Sequence, residues 1–198
     1  MQTTIQLPPP QIDLEFPLMK ALMQRRSIRK WKDEPLSDQD LSNLLWAACG
    51  ITLQETNRSK SRRTAPSASN SQVIKVYVTK QDGLFLYEEK HHRLIQIHSK
   101  NLMEHIGTQK MMHAAPLGLI YVSDYSKMRS YIGKEEHQKL FVSGTDAGFI
   151  SENVYLYCTA ANLSTVVLGL VNREKLHELM GLQAHEKVIY SQVVGKAV

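Results

Sequence analysis

The spacing of hydrophobic residues in the first quarter of the chain predicts two helices. Apolar residues among positions 18–22 form a short helical stripe, which leads directly into a basic run at 25–29. A longer helix is predicted between Ser37, a favourable N-cap residue, and Gly50, because apolar residues recur at i, i+3, i+4 and i+7 between them. The basic run therefore lies where the first helix ends.

The next part of the chain changes to a strand-like pattern. Residues 52–72 are polar and contain a proline, so they are interpreted as a loop that is long enough to suggest a function. Residues 73–79 and 84–87 are rich in β-branched, aromatic and other apolar side chains, and Asp82-Gly83 between them predicts a β-hairpin. The stretch that follows the hairpin is predicted to be helical.

The second half of the chain predicts a strand, a helix, a strand, a helix and a final strand. Residues 117–122 are a short apolar run that suits a buried strand. A helix over about 145–161 is apolar on several sides, which is typical of a helix in a core or a subunit interface. A strand at 166–169, a helix from its cap Asn172 to a stop at Gly181, and a strand at 188–194 complete the order.

Composition limits the choice of fold and partner. The 198 residues, 42% of them hydrophobic and 22% charged, fit one compact domain over 1–198, with residues 1–14 as an extended N-terminal arm. No segment approaches the roughly 20 consecutive apolar residues of a membrane-spanning helix, so no membrane partner is expected. The net charge of +5 is compatible with nucleic acid, but the basic residues gather near 25–32 and 58–63, which fits a small phosphate ligand equally well.

The start of the chain has neither a basic n-region nor an apolar h-region, so the chain as written is expected to be cytoplasmic. Export stays open if Met1 replaces a removed signal peptide. The sequence contains no P-loop, no G-x-G-x-x-G motif and no G-x-S-x-G motif. Nucleotide folds and hydrolases of those kinds therefore have no support.

Cysteine and histidine positions argue against a metal site. Cys49 and Cys158 both lie in apolar segments, which makes a disulfide framework or a zinc cage improbable. His91, His92 and His98 do not combine with carboxylates or thiolates into a spacing typical of a metal site. No metal is expected.

Three groups of residues carry the candidate chemistry. They are Arg25-Arg26-Ser27-Ile28-Arg29, Pro66-Ser67-Ala68-Ser69-Asn70-Ser71-Gln72 before a strand, and Gly195-Lys196 after the last strand. Taken singly, they are a solvated helix end, a turn and a turn glycine. In this order they resemble the nitroreductase-like family of flavoproteins, and the resemblance spans about residues 17–195. Leu44-Leu45-Trp46-Ala47-Ala48 and Arg63-Thr64-Ala65-Pro66-Ser67 resemble its subgroup of thiazoline-oxidase-like nitroreductases.

The resemblance implies an α+β fold with a central mixed, mainly antiparallel sheet flanked by helices, in an interlocked homodimer with two FMN sites at its interface. It also implies an FMN-dependent NAD(P)H oxidoreductase. Such an enzyme passes hydride from NADH or NADPH to an electron-poor small-molecule acceptor, such as a nitroaromatic or a quinone, by a ping-pong mechanism. No side chain has to act as acid or base, so no catalytic residue is assigned.

The chemistry of FMN suggests a role for the basic run. Its phosphate carries close to two negative charges, which favours forked guanidinium donors and a hydroxyl, as Arg25, Arg26 and Ser27 provide. Reduction places negative charge near N1 and O2 of the ring, and by resemblance Arg29 is the cation for that position.

Amides and backbone groups are assigned to the rest of the ring. Asn70 and Gln72 match the alternating donors and acceptors of the pyrimidine edge, and similar loops in the family reach the partner's flavin. By resemblance, the Leu168-Gly169 turn supplies backbone N–H groups near N5. The predicted cofactor-binding residues are Arg25, Arg26, Ser27, Arg29, Pro66, Ser67, Ala68, Ser69, Asn70, Gln72, Leu168, Gly169, Gly195 and Lys196.

The C-terminus departs from the family pattern. Relatives often have Gly-aromatic-Pro followed by a basic residue, whereas this sequence has Gly195-Lys196-Ala197. Either Lys196 supplies the phosphate cation, or Arg25 and Arg26 carry that charge alone. Residues 124–140, which show no clear pattern, are the candidate for a substrate lid.

Two alternative functions remain open. An FMN-dependent azoline dehydrogenase agrees with the subgroup resemblance. A basic nucleic-acid-binding or flavin-storage module is the alternative from another class, and its binding would weaken steeply with salt. No aromatic residues alternate with the basic side chains near 58–63, which disfavours nucleic acid as a partner.

Overall fold

The computed structural model describes residues 3–198, which form four α-helices and nine β-strands. The helices are α1 (Leu18–Gln24), α2 (Asp38–Cys49), α3 (Glu136–Ala160) and α4 (Arg173–Met180). The strands are β1 (Thr4–Gln6), β2 (Ile51–Leu53), β3 (Arg62–Arg63), β4 (Ile74–Lys80), β5 (Gly83–Glu88), β6 (Arg93–His98), β7 (Leu117–Asp124), β8 (Leu163–Leu168) and β9 (Glu186–Lys196). Within this part of the chain, no helix has the length and apolar character needed to cross a membrane.

One sheet organises the fold. Seven strands pair in the order β1-β6-β5-β4-β7-β9-β8, and every pairing in it is antiparallel. Strand β7 is buried along its whole length, which confirms the buried strand predicted from its apolar run. The large antiparallel sheet flanked by helices confirms the predicted α+β class.

Hydrophobic clusters cover both faces of this sheet. Neighbouring residues of β7, such as Leu119 and Ile120, belong to different clusters because successive strand side chains point to opposite faces. The first cluster includes Leu44 of α2 and Val154 of α3, and the second includes Leu176 of α4. Helices α2 and α3 therefore pack on one face of the sheet, and α4 packs on the other.

Capping residues mark the predicted ends of α2 and α4. The Ser37 hydroxyl accepts a hydrogen bond from the Asp40 N–H at the start of α2, and Gly50 follows its last turn. Asn172 caps α4 in the same way, and Gly181 ends that helix with a left-handed φ of 64°. These predictions are confirmed because a cap acts over only a few residues.

The predicted helix after the β-hairpin is wrong, because Arg93–His98 forms strand β6 beside β5. A tight turn precedes it, in which His92 adopts a left-handed φ of 50°. Residues 4–6 of the N-terminal arm then pair with β6 as strand β1. Pairing on both sides overrides the weak local pattern of this segment.

The limits of two other elements also differ from the prediction. Helix α3 begins at Glu136, nine residues before the expected start, since a capping box formed by Glu135 and Gln138 starts it in a polar stretch. The predicted loop 52–72 contains the short β2–β3 pair and a 3-10 turn at Ala68–Asn70. Apolar periodicity gave no sign of either feature.

Candidate functional site

The basic run at 25–29 leaves the end of α1 and lies beside strand β8. The Ile28 N–H donates to the Thr165 carbonyl at 3.0 Å, which fixes the run against the outer strand of the sheet. Arg26 is exposed and its guanidinium turns back to the carbonyls of Met23 and Arg25, at 3.0 and 2.8 Å. Backbone contacts thus fix the run against the sheet, and the Arg26 side chain stays exposed.

Tyr155 of α3 connects this run to strand β8. Its hydroxyl lies 3.0 Å from the Ser27 hydroxyl and 3.0 Å from the Val167 backbone nitrogen. Its ring lies under the Arg25 guanidinium, whose carbon is 5.3 Å from the ring centroid. Sequence reasoning missed Tyr155, because a tyrosine within an apolar helix gives no signal that distinguishes it from a core residue.

The basic run is a cluster of arginines without acidic partners in the described part of the chain. Arg25, Arg26 and Arg29 form no ion pair with any residue in 3–198. By contrast, the side chain of Arg63 in the second basic cluster is only 5% exposed and is paired with Glu89. An anion that bound beside the run would therefore meet guanidinium groups without displacing a carboxylate.

Arg29 meets the predicted Leu168-Gly169 turn at a small cavity of about 70 Å³, which residues Gly107–Gln109 also line. A Cβ on Gly169 would contact nothing within 4 Å, so the space beside this turn is open. Arg173 holds the turn in place by donating to the carbonyls of Gly169 and Ile189, at 3.2 and 2.8 Å. The structure thus brings the basic run and the turn together.

The loop over 66–72 is stabilised by its own side chains. Asn70 Nδ2 and Gln72 Nε2 both donate to the Ser61 carbonyl, at 2.9 and 2.7 Å, and Gln72 also donates to Asn70 Oδ1 at 3.0 Å. Ser67 Oγ accepts from the Gln72 N–H at 3.0 Å. Three residues, Ser69, Asn70 and Gln72, adopt left-handed φ values of 49°, 49° and 52°. Non-glycine residues in this conformation are strained and concentrate at functional sites.

This loop lies at a different part of α3 from the basic run. The Ala68 N–H donates to Asp146 Oδ1 at 3.1 Å, whereas the run contacts Tyr155, nine residues further along the same helix. At 1.5 Å per residue, the two contacts are about 13 Å apart along the helix axis. Within one chain, the structure does not bring the loop and the basic run together.

The C-terminal residues lie next to the strand that the basic run covers. Gly195 is opposite Ser164 of β8, and a Cβ on it would come within 2.8 Å of Trp31 and 2.9 Å of Pro116. Only glycine allows that approach without movement of the neighbours. Lys196 Nζ lies 2.9 Å from Glu34 Oε2, and this contact lowers the pKa of Glu34. The charge of Lys196 is therefore already balanced.

The three histidines near the hairpin lie in separate environments. His91 contacts Glu88 at 2.9 Å, His98 contacts the Leu179 carbonyl at 3.1 Å, and His92 is hydrogen-bonded to Tyr87 at 2.8 Å. Burial lowers the pKa of His92. Among residues 3–198, no group of three or more His, Cys, Asp or Glu side chains could hold a metal ion.

Comparison with known proteins identifies the family. Residues 22–196 match the model of the nitroreductase family. A crystal structure of a nitroreductase-like protein from Ralstonia eutropha JMP134 is 36% identical, with a TM-score of 0.88 over 98% of this chain and 90% of that one. A nitroreductase-like protein of Methanocaldococcus jannaschii is 25% identical over 195 residues, or 93% of this chain and 94% of that one.

A further relative is a Bacillus subtilis protein whose name describes it as an FMN reductase that uses NAD(P)H. It is 25% identical over 190 residues, which are 90% of this chain but 65% of the relative. This relative is thus substantially longer than the part that matches. The family match, by contrast, covers most of this sequence and contains the basic run, the 66–72 loop and the Leu168-Gly169 turn. The chain belongs to the nitroreductase family.

Proposed function

We propose that the chain is an FMN-dependent oxidoreductase that transfers hydride from NADH or NADPH to an electron-poor small molecule, such as a nitroaromatic or a quinone. The family and the fold support an oxidoreductase in general, and the B. subtilis relative is named for both FMN and NAD(P)H. Bound FMN would supply the redox chemistry, since it can accept hydride from one substrate and pass it to the next. The residues of the chain bind, orient and electrostatically tune the cofactor.

The observation that carries the proposal is the set of unpaired arginines beside the Ser27 hydroxyl. A phosphate with close to two negative charges fits guanidinium groups that no carboxylate neutralises. Arg25 and Arg26 are therefore proposed as the phosphate cations. Because Lys196 is paired with Glu34, the proposal does not require it to contact the phosphate.

Arg29 is proposed to lie near the ring, since it shares a cavity with the Leu168-Gly169 turn. A fixed positive charge beside the ring would favour its reduced, more negative form. The open space beside Gly169 supports a role for this turn in approaching a flat ligand. No side chain is assigned an acid–base role.

A homodimer is proposed as the functional unit, because α1 and α3 expose large apolar side chains. Met19 is 75% exposed and Phe141 is 76% exposed, although the two helices contact each other. Apolar surface of this kind typically marks an interface. The exposed large apolar side chains of the two helices are Leu18, Met19, Leu22, Met23, Leu140, Phe141 and Phe149.

The 66–72 loop is proposed to serve the cofactor of the partner subunit. Its separation of about 13 Å from the basic run along α3 supports this role over a contact in the same subunit. Asn70 and Gln72 hold the loop in shape through the Ser61 carbonyl. Pro66 and Ser69, which are exposed, are the residues that the loop presents outward.

The test is an absorbance spectrum of the purified protein after incubation with FMN and removal of the excess. Flavin bands at roughly 370 and 450 nm that bleach when NADH or NADPH is added without oxygen would support the proposal. Reoxidation by a quinone or a nitroaromatic would then give the acceptor class. A protein that retains no flavin, or whose bound flavin neither pyridine nucleotide reduces, would contradict it.

Arg25→Gln tests whether Arg25 contacts the FMN phosphate specifically or whether any positive charge on the protein has the same effect. Loss of one charge-assisted contact should weaken FMN binding by about tenfold or more. Arg93→Gln is the matched control, because Arg93 lies on β6 and pairs with Glu88 away from the run. Equal weakening by both substitutions would argue against a specific phosphate contact.

A further inference from the structure

We infer that Tyr155 is a positioning residue for phosphate recognition, which turns the Ser27 hydroxyl outward as a donor and holds the Arg25 guanidinium beside it. The inference rests on the proposed function, because it concerns how the same site recognises its anion. In the sequence the basic run is a separate segment, and the inference adds to it a buried residue of α3.

The direction of the hydrogen bonds around Tyr155 follows from the donor at one end. A backbone N–H can only donate, so the phenolic oxygen of Tyr155 accepts from Val167 at 3.0 Å. The single phenolic hydrogen then needs an acceptor, because Tyr155 is only 6% exposed. Within the part of the chain that the structure describes, the acceptor in reach is Ser27 Oγ, at 3.0 Å. Tyr155 therefore donates to Ser27.

This direction determines what Ser27 offers to a ligand. The serine oxygen accepts from Tyr155, so the serine hydrogen is free to point away from the protein at an exposed position. Hydrogen bonds in series polarise one another, which makes the last donor stronger. The Ser27 hydroxyl, the last donor of the series, therefore favours an acceptor such as a phosphate oxygen.

The aromatic ring of Tyr155 also holds in place the Arg25 guanidinium, the second group proposed to bind the phosphate. Arg25 is partly buried, with its guanidinium carbon 5.3 Å from the ring centroid and no carboxylate partner among residues 3–198. A cation over an aromatic face keeps its charge while losing part of its freedom of rotation. One side chain thus orders both a hydroxyl donor and a guanidinium before the anion arrives.

Tyr155→Phe tests the hydroxyl while it keeps the ring. The readout is the dissociation constant of FMN against that of riboflavin, which has the same ring and ribityl chain but no phosphate. The variant should weaken FMN binding about tenfold and leave riboflavin binding nearly unchanged. A merely structural defect would weaken both ligands by the same factor.

Tyr157→Phe is the matched control. Tyr157 lies two residues further along α3, is partly buried, and directs its hydroxyl to Asn43 on α2 instead of to the basic run. Neither FMN nor riboflavin binding should change in this variant. A loss of FMN preference in Tyr157→Phe equal to that in Tyr155→Phe would overturn the inference.

Ser27→Ala completes the test and does not depend on a change in the core. It should lower the preference for FMN over riboflavin by a factor similar to that of Tyr155→Phe, and the double variant should lose little more, because Tyr155 acts through Ser27. Independent, multiplicative losses, or an unchanged preference in Ser27→Ala, would overturn the inference even if Tyr155→Phe failed to fold. A wild-type protein that binds neither flavin would instead contradict the proposed function.

Discussion

Two equally buried aspartates should have opposite effects on the pH dependence of stability. Asp146 is 2% exposed and Asp124 is 4% exposed. Asp146 Oδ1 accepts one backbone N–H, and its Oδ2 has no partner among residues 3–198. Asp124 contacts the Lys75 ammonium at 2.9 Å and is hydrogen-bonded to Ser126. The perturbation is a single Asp→Asn change at each position.

Burial raises the pKa of Asp146, because little in the site stabilises the charged form. This shift sets the sign of the change in stability with pH. The folded state therefore binds the proton more tightly than the unfolded state. The corresponding stability is fully present below the unfolded pKa of about 3.9 and is lost as the pH rises through the folded pKa. Each pKa unit of separation corresponds to about 1.4 kcal/mol.

The contribution of Asp124 to stability changes with pH in the opposite direction. Burial alone would raise its pKa, but hydrogen bonds from Ser126 and Lys75, with the charge of Lys75, together lower it. Its contribution is present above the unfolded pKa and is lost as the pH falls through the folded pKa. Asp124→Asn should be destabilising by about 2 kcal/mol at pH 7, since Lys75 keeps only its contact with Glu186.

The assay is urea-induced unfolding of the wild type and both variants at several pH values between 3 and 8. The free energy of unfolding of Asp146→Asn, relative to the wild type, should rise with pH, whereas that of Asp124→Asn should fall. The asparagine amide at 146 also leaves a buried donor without a partner, which costs about 1–3 kcal/mol at every pH and does not change the slope. A wild type and an Asp146→Asn variant with parallel pH curves would refute the reasoning.

Two further predictions concern Gly195 on β9 and the proposed dimer. Gly195→Ala should lower the free energy of unfolding by about 1–3 kcal/mol, because the new Cβ would lie 2.8 Å from Trp31 and 2.9 Å from Pro116; Gly169→Ala, with open space, should change it by less than about 0.5 kcal/mol in thermal or urea unfolding. Phe141→Glu should shift the protein from dimer to monomer in sedimentation at micromolar concentration, since Phe141 is 76% exposed on α3. A dimer of unchanged strength would exclude this face of α3 from the interface.

Local signals predicted the parts of the fold that depend on a few neighbouring residues. Ser37 and Gly50 bound α2, Gly181 ends α4, and the apolar run at 117–122 forms the buried strand β7. Strand β6 was missed because its alternation is weak and its pairing with β5 and β1 decides its conformation. Such pairing joins residues that are far apart in sequence, and a local pattern does not encode it.

In the candidate site, too, the sequence predicts local segments but not the contacts between distant residues. The sequence predicts the basic run, the 66–72 loop and the Leu168-Gly169 turn as separate segments, and their roles stay predictions. It could not predict Tyr155 or Asp146, because each acts through contacts made across the fold. Nor could it show that Asn70 and Gln72 direct their amides to the Ser61 carbonyl, just before β3.

The position of β8 at the edge of the sheet gives the basic run a second consequence. An edge strand exposes backbone groups that can pair with another chain and start aggregation. Here the Thr165 carbonyl and the Val167 N–H, which face away from β9, are occupied by Ile28 and Tyr155. The basic run and Tyr155 thus also protect the sheet from intermolecular pairing. Solubility and cofactor affinity are therefore coupled in this region, and a substitution that loosens the run should lower both together.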